Sequence, residues 1–422
     1  MTTDSPNPPT QPLTSPIALP LNRLTLGQRA IYAIVLGALV ALGPFTVDLY
    51  LPAFPTIADQ LRATDFQVQL TLAATTVGFG LGQLLVGPLS DVVGRRLPLM
   101  IATALHVVSS LAVMGAPCVE LIAVGRVFQG LGAAGGAVVA MAMVRDLFSG
   151  QGLVRMLSRL ALVSGLAPIL APVIGSQLLQ VLDWRQLFLA LAGYGVLVVV
   201  LVALLIQETL PRHRRRREGH STARERYGAL FRDRIFLGLA LIGAMNFASL
   251  FSYVTSSSFL LQEVFRFDAQ QFGFAFAVNS IGLVVASQSA SRVMRRLAPQ
   301  WVLAIGLSVH LLAAAAIVVG ALLGLGIWWL LVPLFFLLSA AGFTFPTVQV
   351  LALAHHGAEA GTAASVLGAA NFALAGVIAP IAGWVGLTSA LPMGLVMLGC
   401  LLVAQASLWL IVRPRTVPPI GD

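Results

Sequence analysis

Residues 67–115 read QVQLTLAATTVGFGLGQLLVGPLSDVVGRRLPLMIATALHVVSSLAVMG. Two apolar runs, 67–88 and 97–115, flank a short segment carrying Asp91, Arg95 and Arg96. Each run has about the 20 residues that a helix needs to cross a hydrocarbon core roughly 30 Å thick. Within lipid only helices and closed barrels satisfy every backbone group. Barrel strands alternate over about 10 residues instead of staying apolar for 20. The stretch therefore predicts two membrane helices joined by a charged loop that stays in water.

The same pattern extends through the 422 residues, of which 58% are hydrophobic and 10% charged, against roughly 25% charged in soluble domains. Spans are expected near 30–52, 67–88, 97–115, 119–143, 155–180 and 186–206, then 235–262, 270–291, 300–322, 327–352, 362–386 and 390–412. The fold class is thus an all-α membrane protein with twelve transmembrane helices. Residues 207–233 form the longest interior polar stretch and divide six spans from six. The domains read as a disordered cytoplasmic tail 1–24, a six-helix bundle 25–206, a cytoplasmic linker 207–233, a second bundle 234–412 and a tail 413–422. The first tail is rich in proline and lacks the basic start and apolar core of a cleavable signal peptide. Gly82, Asp91, Arg95, Arg96 and Leu97 reappear as Gly282, Ser291, Arg295, Arg296 and Leu297 at the same point of the second half. Two related halves with a cavity at their junction suit an alternating-access carrier.

All 25 basic residues are arginine. With the N-terminus in the cytoplasm, 21 of them fall in cytoplasmic segments, nine between Arg212 and Arg234. The opposite side receives only Arg62, Arg185 and Arg266, and Arg126 alone lies inside a span. Arginine-rich short loops resist translocation, so both termini are expected inside a bacterial inner membrane. This distribution accounts for the net charge of +9 without any nucleic-acid partner. The run Arg214 to Arg217 can touch anionic lipid headgroups of the bilayer. Cys118 and Cys400 form neither a disulfide framework nor a metal-ligand spacing, and they read as packing residues.

Gly87-Pro-Leu-Ser-Asp91-Val-Val-Gly94-Arg95-Arg96 resembles the loop signature of the major facilitator superfamily. Arg126-Val-Phe-Gln129-Gly130-Leu-Gly132 is similar to the fourth-helix motif of its drug/proton antiporters. Gly165, Pro168, Pro172 and Gly175 resemble the fifth-helix antiporter motif, departing from it at Ala171 and Ser176. With Asp48-Leu-Tyr50-Leu-Pro52-Ala-Phe-Pro55, Arg145-Asp146 and Trp184-Arg185, the chain from about residue 25 to 412 looks like the bicyclomycin/chloramphenicol-resistance (Bcr/CflA) subfamily. The resemblance implies two pseudo-symmetric six-helix halves and proton-driven export of small hydrophobic or neutral drugs. It further implies a conformational latch at Gly87, Asp91, Gly94, Arg95 and Arg96. Ser291 in place of the acid leaves a matching latch in the second half in doubt.

Asp48 is the clearest acidic residue within an apolar run, where a charge costs roughly 2.5 to 3.5 kcal/mol on insertion scales. Burial disfavours the charged form, which suits a group that takes up and releases a proton. The competing reading has Asp48 reaching the outer surface or pairing with a cation. Arg126 needs a carboxylate or backbone carbonyls. By resemblance it couples protonation to substrate binding, and the competing reading makes it an anchor between the first and fourth helices. Candidate substrate-binding residues are the amphipathic side chains Tyr50, Asn246, Tyr253, Gln262, Asn279, Gln349, Asn371 and Phe372. His106 and His310 occupy equivalent third helices and read as helix-bonding or lipid-facing groups, with a proton relay as the alternative.

No HExxH, GxSxG, Cys/His cluster or nucleotide-binding glycine loop is present, so neither an enzyme nor a cofactor is expected. The expected partners are a small-molecule drug substrate, protons and the lipid bilayer, with the chain acting as a monomer. The alternative within transport is an exporter or symporter of an endogenous small metabolite.

Overall fold

A computed structural model describes residues 26–211, 228, 230–354 and 360–416. The expected tail 1–24 and most of the linker 207–233 lie outside the described residues. Among the described residues, twelve helices are long and apolar enough to cross a membrane. In the first half α1 spans Leu26–Asp48, α2 Asp65–Val93, α3 Arg96–Met114, α4 Val119–Leu147, α5 Gly150–Leu178 and α6 Trp184–Leu205. In the second, α7 spans Arg234–Phe259, α8 Ala269–Met294, α9 Pro299–Leu322, α10 Trp328–Leu353, α11 Ala360–Ile378 and α12 Leu391–Ala406. Among the described residues there is no strand.

Local sequence sets the boundaries. Thr64 with Gln67, Asp183 with Gln186 and Asp268 with Gln271 form capping boxes that start α2, α6 and α8 at the arginine-poor end. Each box satisfies backbone donors that have no intrahelical partner. Several expected boundaries shift, and two of the shifts bear on function. The first span breaks at Asp48, because Pro52 has no N–H to continue the ladder; a short 3-10 turn, Leu51–Ala53, follows, and then a helix, Phe54–Leu61. The second span runs past 88 to Val93, so Asp91 lies in the last turn of α2 and only Gly94 and Arg95 separate it from α3.

Packing repeats between the halves. α1 rests on α4, α5 and α6, while α2 and α3 pack on α4 and α3 also packs on α6. Six helices later the same pairs recur: α7 on α10, α11 and α12, α8 and α9 on α10, and α9 on α12. The halves meet along two related seams, α2 with α11 and α5 with α8. On the first seam Gln69, Thr76 and Gln83, successively two turns apart, lie against Gly383, Gly376 and Gly368. At the arginine-poor end the halves also interlock through hydrogen bonds. Ser258 Oγ donates to Leu51 O at 2.6 Å and Gln262 Nε2 to Pro52 O at 3.1 Å, beside a Phe54–Phe259 ring contact at 5.7 Å.

Candidate functional site

The break after α1 creates the site. The last four carbonyls of a helix have no intrahelical donor, and the negative end of the helix dipole favours a cation there. Arg126 of α4 supplies it: Nη1 donates to Thr46 O at 2.8 Å and to Gln129 Oε1 at 2.6 Å. Its guanidinium carbon lies 4.1 Å from the centre of the Tyr50 ring and 5.8 Å from that of Phe188. Tyr50 is held in turn by an OH contact with Thr71 Oγ1 at 3.1 Å. Asp48 is 6% exposed and Arg126 fully buried. No ion pair within 4.0 Å joins them, since among the described residues the salt bridges are those of Arg95. Arg126 is thus seated on a carbonyl, an amide and an aromatic face, and its contacts Thr46 and Tyr50 flank in sequence the Asp48 carboxylate, which it does not clamp.

The other proposed binding residues fall into separate places. Asn279 Nδ2 donates to Tyr253 OH at 3.0 Å, and the Tyr253 ring stacks on Phe276 at 5.4 Å. Asn246 Nδ2 donates to Thr344 Oγ1, which ties α7 to α10. Phe372 of α11 stacks on Phe79 of α2 at 5.3 Å and meets Phe247 of α7 at 5.1 Å, and Phe247 touches Phe345 of α10 at 6.0 Å. This aromatic chain crosses from one half to the other. Asn371, beside it, is half-buried, whereas Gln349 is exposed and joins none of these groups. Sequence reasoning missed Phe79, Phe247 and Phe345, since a phenylalanine in an apolar run carries no distinguishing signal.

The fifth-helix residues lie between the halves. Pro168 and Pro172 are inside α5, and Gly165 faces Val284 of α8. A Cβ on Gly175 would come within 2.0 Å of the Leu49 carbonyl oxygen, so only glycine allows α5 to meet the end of α1.

At the arginine-rich end Arg95 organises the signature. Its Nη1 bonds Asp91 Oδ1 at 2.5 Å and Ser90 Oγ at 2.7 Å, and its Nε bonds Asp146 Oδ2 at 2.9 Å. Burial opposes its charge, but the bonds and attraction of Asp146 and Asp91 outweigh this and hold the guanidinium above its ordinary pKa. Gly94 turns the chain with φ of 115°, a region that side chains disfavour. A built Cβ on Gly87 lies 3.2 Å from Val138, so α2 approaches α4 closely there. Glu208 was read only as part of the linker; its carboxylate accepts Arg95 N at 2.8 Å and Arg96 N at 3.2 Å and so caps α3. Arg96 Nη2 donates to Ala203 O at 2.5 Å. These partners of Asp91, Arg95 and Arg96 lie in the first half or, for Glu208, at the start of the linker that follows it.

Comparison with known proteins fits this architecture. The chain is 32% identical to the MFS-type transporter YdgK of Bacillus subtilis, over 94% of this chain and 98% of that protein. It is 29% identical to a bicyclomycin resistance protein homolog of Haemophilus influenzae, over 89% and 94%. Among solved structures, an inward-facing, unoccupied bacterial homolog of the human lysosomal transporter Spinster superposes with a TM-score of 0.71 at 13% identity, covering 93% of this chain and 98% of that one. The family model of the Major Facilitator Superfamily matches residues 34–380, and with twelve spans in two halves packed alike the chain belongs to that superfamily of multi-pass membrane transporters.

Proposed function

We propose that this transporter is a proton-coupled antiporter that exports small hydrophobic or neutral drug-like molecules by alternating access. Asp48 is its proton site and Arg126 couples that proton to substrate. The observation that carries the reading is the broken end of α1, where the buried Arg126 guanidinium contacts Thr46 and Tyr50, the residues two before and two after the buried Asp48, without an ion pair to its carboxylate. An isolated buried charge is costly, and gaining or losing a proton there changes the balance of the site. Held close to one another the two charges cancel, which favours uncharged cargo. The Phe79, Phe372, Phe247 and Phe345 chain offers such cargo an apolar contact reaching both halves. The bicyclomycin resistance homolog supports a drug as cargo.

The arginine-rich end is cytoplasmic and the membrane is the bacterial inner membrane, as arginine placement favours. The bonded closure at the opposite end then shuts the outer side of the carrier in this structure. Membrane potential supplies about 2.3 kcal/mol per charge per 100 mV, which sustains a gradient of tens of fold. In proteoliposomes, Asp48→Asn is expected to abolish substrate-driven proton release while the protein still folds. Coupling at the wild-type rate in that variant removes Asp48 from the mechanism. The cargo is found by expression in an efflux-deficient host and a susceptibility screen over bicyclomycin, phenicols, dyes and sulfonamides.

A further inference from the structure

The Thr46 hydroxyl has a single hydrogen, and it goes to Leu42 O at 2.6 Å. Its contact with His106 Nε2 at 2.9 Å is therefore received by Thr46, so Nε2 carries the hydrogen. His106 Nδ1 is buried and, among the described residues, has no partner. A second N–H there would find no acceptor, so the ring is neutral with its lone pair on Nδ1.

The same logic fixes the rest of the cluster. Ser110 Oγ donates to His106 O at 2.7 Å, so it receives Gln129 Nε2 at 2.7 Å. That orients the Gln129 amide with Oε1 toward Arg126 Nη1. The bonds close a ring through α1, α3 and α4: His106, Thr46, Arg126, Gln129, Ser110. All five residues are buried. Arg126 enters this ring by Nη1: among the described residues no ring member bonds its Nε or Nη2, and the guanidinium lies over Tyr50. Its position thus depends on where the Thr46 carbonyl points, together with Gln129 Oε1 and the Tyr50 face. The Thr46 side chain is gripped by two bonds, one within α1 and one from His106.

We propose that His106 is a positioning residue, whose Nε2–H holds Thr46 and, through the Thr46 carbonyl, fixes the Arg126 guanidinium beside Asp48. The inference rests on the antiport reading, in which Arg126 acts on Asp48. It makes the third helix part of the coupling machinery without giving it contact with proton or substrate. Glutamine can reproduce the Nε2 donor at nearly the same reach. Asparagine stops one bond short, and leucine keeps the bulk without the donor.

The test follows the protonated-carboxyl stretch of Asp48 by infrared pH titration of the purified protein in lipid, with Asp48→Asn to assign the band and no cargo needed. His106→Leu is expected to move the midpoint by about one pH unit, the size of effect a nearby cation has on a carboxylate. His106→Gln should stay at the wild-type midpoint. If His106→Leu does not fold, His106→Asn takes its place with the same expectation. An assigned band whose midpoint ignores the loss of the donor, or moves equally with glutamine, overturns the positioning role and leaves the antiport reading standing. A titrating band untouched by Asp48→Asn overturns both.

Discussion

In the first half, α3 brings His106 to the Thr46 hydroxyl at 2.9 Å; in the second, α9 brings His310 to the matching level, buried, and neither ring nitrogen has a partner among the described residues. The contrast recurs after the second helix of each half. Asp91, Arg95 and Asp146 form a bonded cluster, whereas Ser291 stands exposed where the acid would be. Yet the helix pairs that touch are the same in both halves. Packing follows from small residues and apolar faces, which a duplicated sequence carries along. Charge needs specific partners, and here those partners cluster in the first half. The second half offers neutral polar pairs, Asn246 with Thr344 and Asn279 with Tyr253. Under the proposed antiport, such a division places energy coupling in one half and cargo contact in both.

The division breaks most readily at Arg126. Arg126→Ala removes the bonds to Thr46 O and Gln129 and leaves the Tyr50 face empty. Hydrogen bonds to a charged group are worth about 1.5–3 kcal/mol, so coupled exchange in proteoliposomes is expected to fall about a hundredfold. Asn279→Ala, which frees Tyr253 OH, should change apparent cargo affinity a few-fold while the ratio of protons to cargo holds. If Asn279→Ala alters that ratio as strongly as Arg126→Ala, the coupling is shared and the contrast between halves fails.

A smaller effect is expected where packing alone is at stake. Gly175→Ala forces a methyl group against the Leu49 carbonyl, which is backbone at the broken end of α1 and has little room to yield. Overpacking of this kind costs about 1–3 kcal/mol, and both melting temperature in detergent and transport should drop. Gly165→Ala meets only the Val284 side chain at 3.2 Å, which can rotate, and should melt close to wild type. Equal losses in the two variants would show that the whole of α5, and not its contact with α1, sets the seam.

Much of this was legible in the sequence because lipid imposes a simple grammar. Twelve apolar runs, a central polar stretch and biased arginines stand out however the helices pack. Asp48 and Arg126 also stand out, as polar groups in apolar surroundings. Their relation was not legible: the sequence suggested a carboxylate or carbonyls for Arg126, and only the helix break at Asp48 shows which carbonyl is free. The Phe79–Phe372 stack and the Glu208 cap on α3 join residues far apart in the chain by contacts that depend on helix rotation. No spacing rule reports that. Ring bonds such as Gln129 to Ser110 are invisible for the same reason.

The latch tests the contrast more gently. Asp91→Asn keeps the shape and removes the charge that meets Arg95, whose other carboxylate, Asp146, remains. Partial loss on an accessible pair is worth about 1 kcal/mol, so turnover should slow several-fold with cargo binding retained. Ser291→Ala, at the matching point of the second half, should leave turnover unchanged. Unaltered turnover in Asp91→Asn would remove the latch role, and slowing in both would restore symmetry between the halves.

The smallest change is expected at His310, and it bears most directly on how the halves differ. Removing a bonded polar group strands its partner, which is why His106→Leu is expected to matter. Removing a buried polar group that has no partner strands nothing, and an apolar replacement of similar size recovers the desolvation it had cost. His310→Leu should therefore transport like wild type and melt at the same temperature or slightly above. A fall of several degrees, or lost coupling, would mean that His310 has a hydrogen-bonding role matching that of its counterpart, and the assignment of coupling chemistry to the first half alone would no longer hold.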